Sequence, residues 1–145
     1  MTSYSEAGPR SGYADLVKLQ LQGRRFLEAE DERRLLEEGL TRYGLSLDQA
    51  AMHLRGAAQE NDIALEGELA ASARELLRTL ADRHGRISRE DFARAVNFYR
   101  ARARRAISEA EARKRIKRLM EEIELRPKPA GRILRTRRWY RAIEA

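Results

Sequence analysis

Ser88-Arg89-Glu90-Asp91-Phe92-Ala93-Arg94-Ala95-Val96-Asn97-Phe98-Tyr99 is the stretch on which the fold class turns. Ser88 has a hydroxyl suited to accept from the backbone N–H three residues on, and Asp91 stands at that third position, the pattern of a capping box at a helix start. Phe92, Ala95, Val96 and Tyr99 then recur at i, i+3, i+4 and i+7, which predicts one apolar stripe along a helix facing a core. The same punctuation returns on either side. Ser46 with Gln49 opens a helix through Ala50, Met52, Leu54 and Ala57, and Ser108 with Glu111 opens one carrying Ile116, Leu119, Met120 and Ile123. A break at Ser108 and an unbroken helix from Arg89 to Ile123 both fit the pattern.

Upstream, helical spacing runs from about Tyr13 to Tyr43 through Leu16, Leu19, Phe26, Leu36 and Leu40, with a break expected near Gly23 and a stop at Gly44. Leu65, Leu69, Leu76, Leu77 and Leu80 mark another helix, ending at Gly85. Arg126-Pro127-Lys128-Pro129-Ala130-Gly131 cannot be helical, because each proline lacks a donor and restricts the residue before it. A last short helix is expected from about Arg132 to Ile143. With three prolines in 145 residues and Ala, Leu, Arg and Glu dominant, the expected class is all-α.

Arg42-Tyr43-Gly44-Leu45-Ser46 and Arg83-His84-Gly85-Arg86-Ile87-Ser88 each close a helix at Gly and cap the next at Ser, the pattern of an internal helix-loop-helix repeat. Asp82 to Phe92 resembles the exit half of an EF-hand, with Gly85 at the sharp turn, Ile87 at the apolar position and Asp91 at the final ligand position. The resemblance implies a pair of helix-loop-helix units joined by a short antiparallel bridge, setting Leu45 beside Ile87. It does not imply calcium, since Leu80 and His84 fall at the first and fifth positions, where oxygen ligands are needed, and Gly39, Thr41 and Tyr43 fill the corresponding places of the first loop. The expected organisation is a disordered leader over 1–12, a helical core over 13–107 with two such units, and a basic helical arm over 108–145.

Charge divides the chain. Residues 1–99 carry a net −3 and residues 100–145 a net +10, which give the whole its +7. Such polarity points the C-terminal segment toward an anionic partner. Ile133, Leu134, Trp139 and Tyr140 interleave with Arg135, Arg137, Arg138 and Arg141, a pattern that suits a protein partner or larger assembly, with apolar anchors filling pockets and guanidinium groups steering. The same residues suit nucleic acid, since arginine forks grip phosphate and aromatics stack on bases. For that alternative, a rod between Arg100 and Arg118 offers Arg102, Arg105, Arg113, Lys114, Lys117 and Arg118 as phosphate contacts. A membrane surface ranks last because the apolar face of the arm is short.

Enzyme chemistry is not expected. The chain has no Cys, only two His, His53 and His84, and no glycine-rich phosphate loop, so neither a metal site, a cofactor, a catalytic residue nor a small-molecule substrate is expected. Met1 to Gly12 lacks the features of a targeting segment and no run approaches a membrane span, so the expected compartment is the cytoplasm.

Overall fold

The computed structural model describes the backbone of residues 3–144 and the side chains of residue 8 and residues 10–144. Seven helices lie among these residues, with four strands of two residues each. The order is α1 (Ser3–Leu21), β1 (Phe26–Leu27), α2 (Ala29–Thr41), α3 (Leu47–Glu60), β2 (Ala64–Leu65), α4 (Glu66–Leu80), β3 (Arg86–Ile87), α5 (Arg89–Arg102), α6 (Glu109–Glu122), β4 (Arg126–Pro127) and α7 (Arg138–Arg141). The all-α class is therefore met. Among the described residues no helix is long and apolar enough to cross a membrane.

The helix ends obey the caps. Ser46 makes both bonds of its box: the Gln49 amide donates to its Oγ at 3.2 Å, and its own amide donates to Gln49 Oε1 at 2.9 Å. Ser88 and Ser108 make one bond each, accepting from the amides of Asp91 and Glu111 at 3.1 Å. The chain does break before Ser108. Arg104 and Arg105 both take φ of 56°, a left-handed turn that L side chains adopt reluctantly, and it ends α5 and re-aims the chain. The break at Gly23 is also present, with φ of 75° there, but it leads into an extended dipeptide in place of a kink. The helix before it starts at Ser3, so the stretch expected as a disordered leader is helical from that residue.

The chain divides into two compact units, one ending at Gly67 and the other starting at Glu68. This replaces the expected division at 107/108: residues 108–145 belong to the second unit, because α6 buries Ala112, Ile116, Leu119 and Met120 and packs against α5. The apolar face read from Ile116, Leu119 and Met120 is thus buried within the second unit, while the Arg and Lys run that suggested a separate arm lies around the rest of the helix. In the first unit, Tyr13, Val17, Leu21, Leu27, Leu35, Ala50 and Leu54 are among the residues of one buried cluster, with α1 and α2 each packed on α3. The Tyr13 hydroxyl donates to Leu35 O at 2.8 Å, and burial pushes this phenol up to about 12, with the nearby Glu38 carboxylate adding to the effect.

Each unit has the same plan, helix, strand, helix, helix, strand. From the third helix onward the positions correspond at constant spacing: Ser46 with Ser108 as caps, Ala50 with Ala112, Leu54 with Ile116 and Ala58 with Met120 as buried residues. Asp62 and Glu124 then turn left-handed at φ of 54° and 60°. Ile63 N donates to Ala58 O at 2.8 Å, and Leu125 N to Met120 O at 2.9 Å. The strand after this turn pairs in parallel with the strand before the second helix, Phe26 with Ala64 and Leu27 with Leu65 in one unit, Arg86 with Arg126 and Ile87 with Pro127 in the other.

The repeat is thus real but differently registered from the one the sequence suggested. Ile87 pairs in parallel with Pro127 inside its own unit, where an antiparallel bridge to Leu45 was expected, and Leu45 is a core residue outside any strand. Gly followed by a Ser cap marks any helix stop and restart, so 42–46 and 83–88 share a signal without occupying equivalent places. The structural partner of Ser46 is Ser108.

Glycine substitutions separate packing from propensity in the first unit. A Cβ on Gly39 would lie 2.9 Å from the Ala50 methyl and 3.0 Å from the Tyr13 ring, whereas one on Gly56 meets nothing within 4 Å. Gly39→Ala is expected to lower stability by about 1–3 kcal/mol through overpacking. Gly56→Ala, in the open face of α3, should raise it by about 0.5–1 kcal/mol. Urea unfolding followed by circular dichroism measures both signs.

Candidate docking surface of the basic C-terminal segment

The prolines set the path of this segment. Extended backbone at 126–127 lets Arg126 N donate to Gly85 O at 2.9 Å and Lys128 N to Ile87 O at 2.8 Å, while Pro127, between them, needs no donor in a parallel pair. Two carbonyls of this strand and its exit take side-chain donors from further along. The Arg137 guanidinium donates through Nε to Pro127 O at 3.2 Å, and the Trp139 indole N–H donates to Lys128 O at 3.0 Å.

Between these ends the chain forms a closed loop. Ala130 and Thr136 exchange backbone hydrogen bonds of 2.7 and 3.0 Å. Gly131 has φ of 142°, and a Cβ there would lie 2.2 Å from Leu134 O, so the closure requires glycine. At the tip, Ile133 is 94% exposed and Leu134 76%.

Beyond the loop, α7 is one turn held from outside. Tyr140 is buried and its hydroxyl donates to Glu121 Oε1 at 3.3 Å. Burial, then the Glu121 charge, raises this phenol well above its ordinary range. The Lys117 ammonium lies 4.7 Å from the Tyr140 ring centre and donates to Tyr140 O at 3.3 Å and Ile143 O at 2.8 Å. It adds a second donor to the Tyr140 carbonyl, which also accepts from the Ile143 amide at 3.1 Å, and supplies one to the Ile143 carbonyl beyond the turn. The half-buried Trp139 ring meets Phe92 edge-on at 5.3 Å, and Tyr140 meets Phe92 at 6.3 Å.

The residues expected to meet a partner therefore divide. Ile133, Leu134, Arg135, Arg138 and Arg141 are exposed, as is Arg132, and these four arginines make no ion pair among the described residues. Trp139 and Tyr140 instead bind the segment to its own unit, and Arg137 is partly engaged by Pro127 O. An aromatic among arginines reads alike as a docking anchor or as a core residue, and the tertiary contact with Phe92 decides for the second.

The upstream cations do not form one face either. Arg102 lies 5.0 Å from the Phe98 ring centre, Arg118 lies 3.8 Å from Glu111, which Arg115 also contacts at 3.1 Å, and Lys117 holds α7. Arg105 and Arg113 are exposed and Lys114 is half-buried. Of the two histidines, His53 packs edge-on against Tyr13, and His84 accepts from Arg83 Nε at 3.3 Å. No group of three His, Cys, Asp or Glu side chains suited to hold a metal ion occurs among the described residues. The charge pattern passed over Arg86 and Arg126, which β3 and β4 set directly opposite each other. Comparison with family models, curated proteins and solved structures finds no match to this chain.

The turn before β3 is organised by Asp82. Its carboxylate accepts from the amides of His84 at 2.8 Å and Arg86 at 2.9 Å, and faces Arg86 Nε at 3.2 Å and Lys128 Nζ at 3.5 Å. The Arg86 amide, foremost, holds this carboxyl down from the ordinary 3.8 to about 2. With the folded value below the unfolded one, the stabilisation is complete above about pH 4 and lost as the pH falls toward 2. Acid unfolding followed by ellipticity should show this limb in the native protein and a shallower one in Asp82→Asn. Trp139→Ala should cost about 2 kcal/mol in urea unfolding, less than a fully buried indole. Trp139→Phe, which loses mainly the bond to Lys128 O, should cost about 1 kcal/mol.

Proposed function

We propose that this protein is a non-catalytic helical adaptor or assembly protein that meets a protein partner through the tip of its basic C-terminal segment. The observation that supports the reading is the exposure of Ile133 and Leu134 on a loop closed by the Ala130–Thr136 bridge. Ordering a surface loop opposes chain entropy, and two aliphatic side chains held out in water gain nothing from the fold itself. Such a pair, flanked by Arg132 and Arg135, suits a hydrophobic pocket rimmed by acidic groups. Trp139 and Tyr140 serve this reading from behind, by fixing the base of the loop.

A second reading, DNA or RNA binding by Arg100 to Arg118 and the same segment, draws support from Arg132, Arg135, Arg138 and Arg141, exposed and without ion pairs among the described residues. It requires binding that weakens steeply with salt, by roughly the 0.9 power of salt concentration for each phosphate contact.

A photo-crosslinking amino acid in place of Ile133, introduced in the native cell, identifies the partner. Binding is then measured with both purified proteins. Ile133→Ser with Leu134→Ser is expected to weaken it roughly thirtyfold, as for a central hydrophobic anchor, with an unchanged melting curve. Unchanged affinity in that variant removes the docking role of the loop.

A further inference from the structure

A cleft of about 470 Å³ in the second unit is lined by His84, Arg86, Arg126, Pro127 and Arg137. It arises directly from the strand register. Arg86 and Arg126 are cross-strand partners in neighbouring strands about 4.8 Å apart, and Arg137 arrives from beyond the loop with its Nε on Pro127 O. Like charges directly opposite on a strand pair are destabilising; Asp82 offsets Arg86, but among the described residues Arg126 and Arg137 are in no ion pair.

The first unit supplies an internal comparison. The positions of Arg86 and Arg126 in the β3–β4 pair are those of Phe26 and Ala64 in the β1–β2 pair. The same backbone pairing thus forms with Phe26 and Ala64 at the positions of the two arginines, and Phe26 is buried there. Two arginines at these positions are not required by the architecture. The third comes from the stretch after β4, in place of the first unit's direct run from β2 into α4.

We infer that this cleft is a binding site for a phosphate dianion, free or as a monoester, held by the guanidinium groups of Arg86, Arg126 and Arg137. The charge balance selects the class of anion. Arg86, Arg126, Arg137 and Lys128 stand against the single carboxylate of Asp82, which contacts Arg86 and Lys128, and a surplus of three positive charges remains. A carboxylate or a phosphodiester offsets one charge, whereas a phosphomonoester carries about −1.5 to −2 and offers three acceptor oxygens. Guanidinium forks match those oxygens in pairs. The Arg86 Nε and Arg137 Nε already bind Asp82 and Pro127 O, which orients both groups while leaving their terminal nitrogens as donors. The site goes beyond the loop-docking role and does not depend on it.

The test uses the full chain at low ionic strength, with amide and arginine Nε–H resonances monitored during titration with inorganic phosphate, O-phosphoserine or a short duplex oligonucleotide. Saturable shifts at Arg86, Arg126 and Arg137 with the first two probes are expected. Arg126→Ala should weaken them about tenfold and Arg126→Lys less, since lysine keeps the charge without the fork. The Arg126 side chain is exposed and its strand pairing uses only backbone, so the variant retains the fold, which the remaining resonances verify. Equal affinity for inorganic phosphate and O-phosphoserine assigns recognition of the phosphate dianion alone, and tighter phosphoserine assigns a phosphorylated residue; both uphold the site. Absence of saturation, an unaltered response in Arg126→Ala, or binding of the duplex alone overturns it. Ile133→Ser with Leu134→Ser should leave these shifts intact, so failure of the docking loop and failure of this site are separately visible.

Discussion

Two backbone hydrogen bonds, from Arg126 N to Gly85 O and from Lys128 N to Ile87 O, determine the course of the C-terminal third of this chain. They make the only strand pairing among the described residues of that stretch, and they fix the direction in which residues 129–144 set out. Everything downstream uses the strand they create. Its carbonyl at Pro127 and the next at Lys128 take the Arg137 and Trp139 side chains, and the loop between is drawn closed as a result. The exposed tip and the arginine cleft are both products of one short strand pair.

The duplicated plan explains how so small a pairing can be decisive. In each unit two helices connect the paired strands, so a parallel pair of two residues ties together segments far apart in sequence. The first unit runs from β2 directly into α4. The second continues past β4 through Pro129 and Gly131 into a loop and one helical turn. The two copies share a scaffold, and they differ in the side chains at the pairing positions and in the course of the chain beyond the last strand.

Much of the helical plan was legible in the sequence. The Ser46 and Ser88 starts, the Gly23 and Gly44 stops and the stripe of Phe92, Ala95, Val96 and Tyr99 are local signals, and local signals survive folding. The start at Ser108 is left open by the sequence, because the break before it rests on left-handed backbone at Arg104 and Arg105 that no residue type announces. The long-range relations could not be read. Dipeptides such as Phe26-Leu27 and Ala64-Leu65 are too short for alternation to register as strands, so the pairing that sets the repeat was invisible. The site was legible in part. Ile133, Leu134 and the exposed arginines were identified by composition, but the inward turn of Trp139 and Tyr140 depends on Phe92, whose proximity only the tertiary structure supplies. The Arg86–Arg126 juxtaposition likewise joins residues whose relation exists only across strands.

The closing turn of the chain owes its form to its surroundings. A helix of four residues lies far below the length at which nucleation is repaid, so α7 has no independent existence in water. Its shape is lent by the Lys117 ammonium on the carbonyls of Tyr140 and Ile143 and by the Phe92 ring under Trp139 and Tyr140. The terminus and α6 therefore form a single cooperative element, and opening of α6 frees the last residues in the same event. Amide protons of that final turn inherit their protection against solvent exchange from a helix more than a dozen residues earlier in the chain.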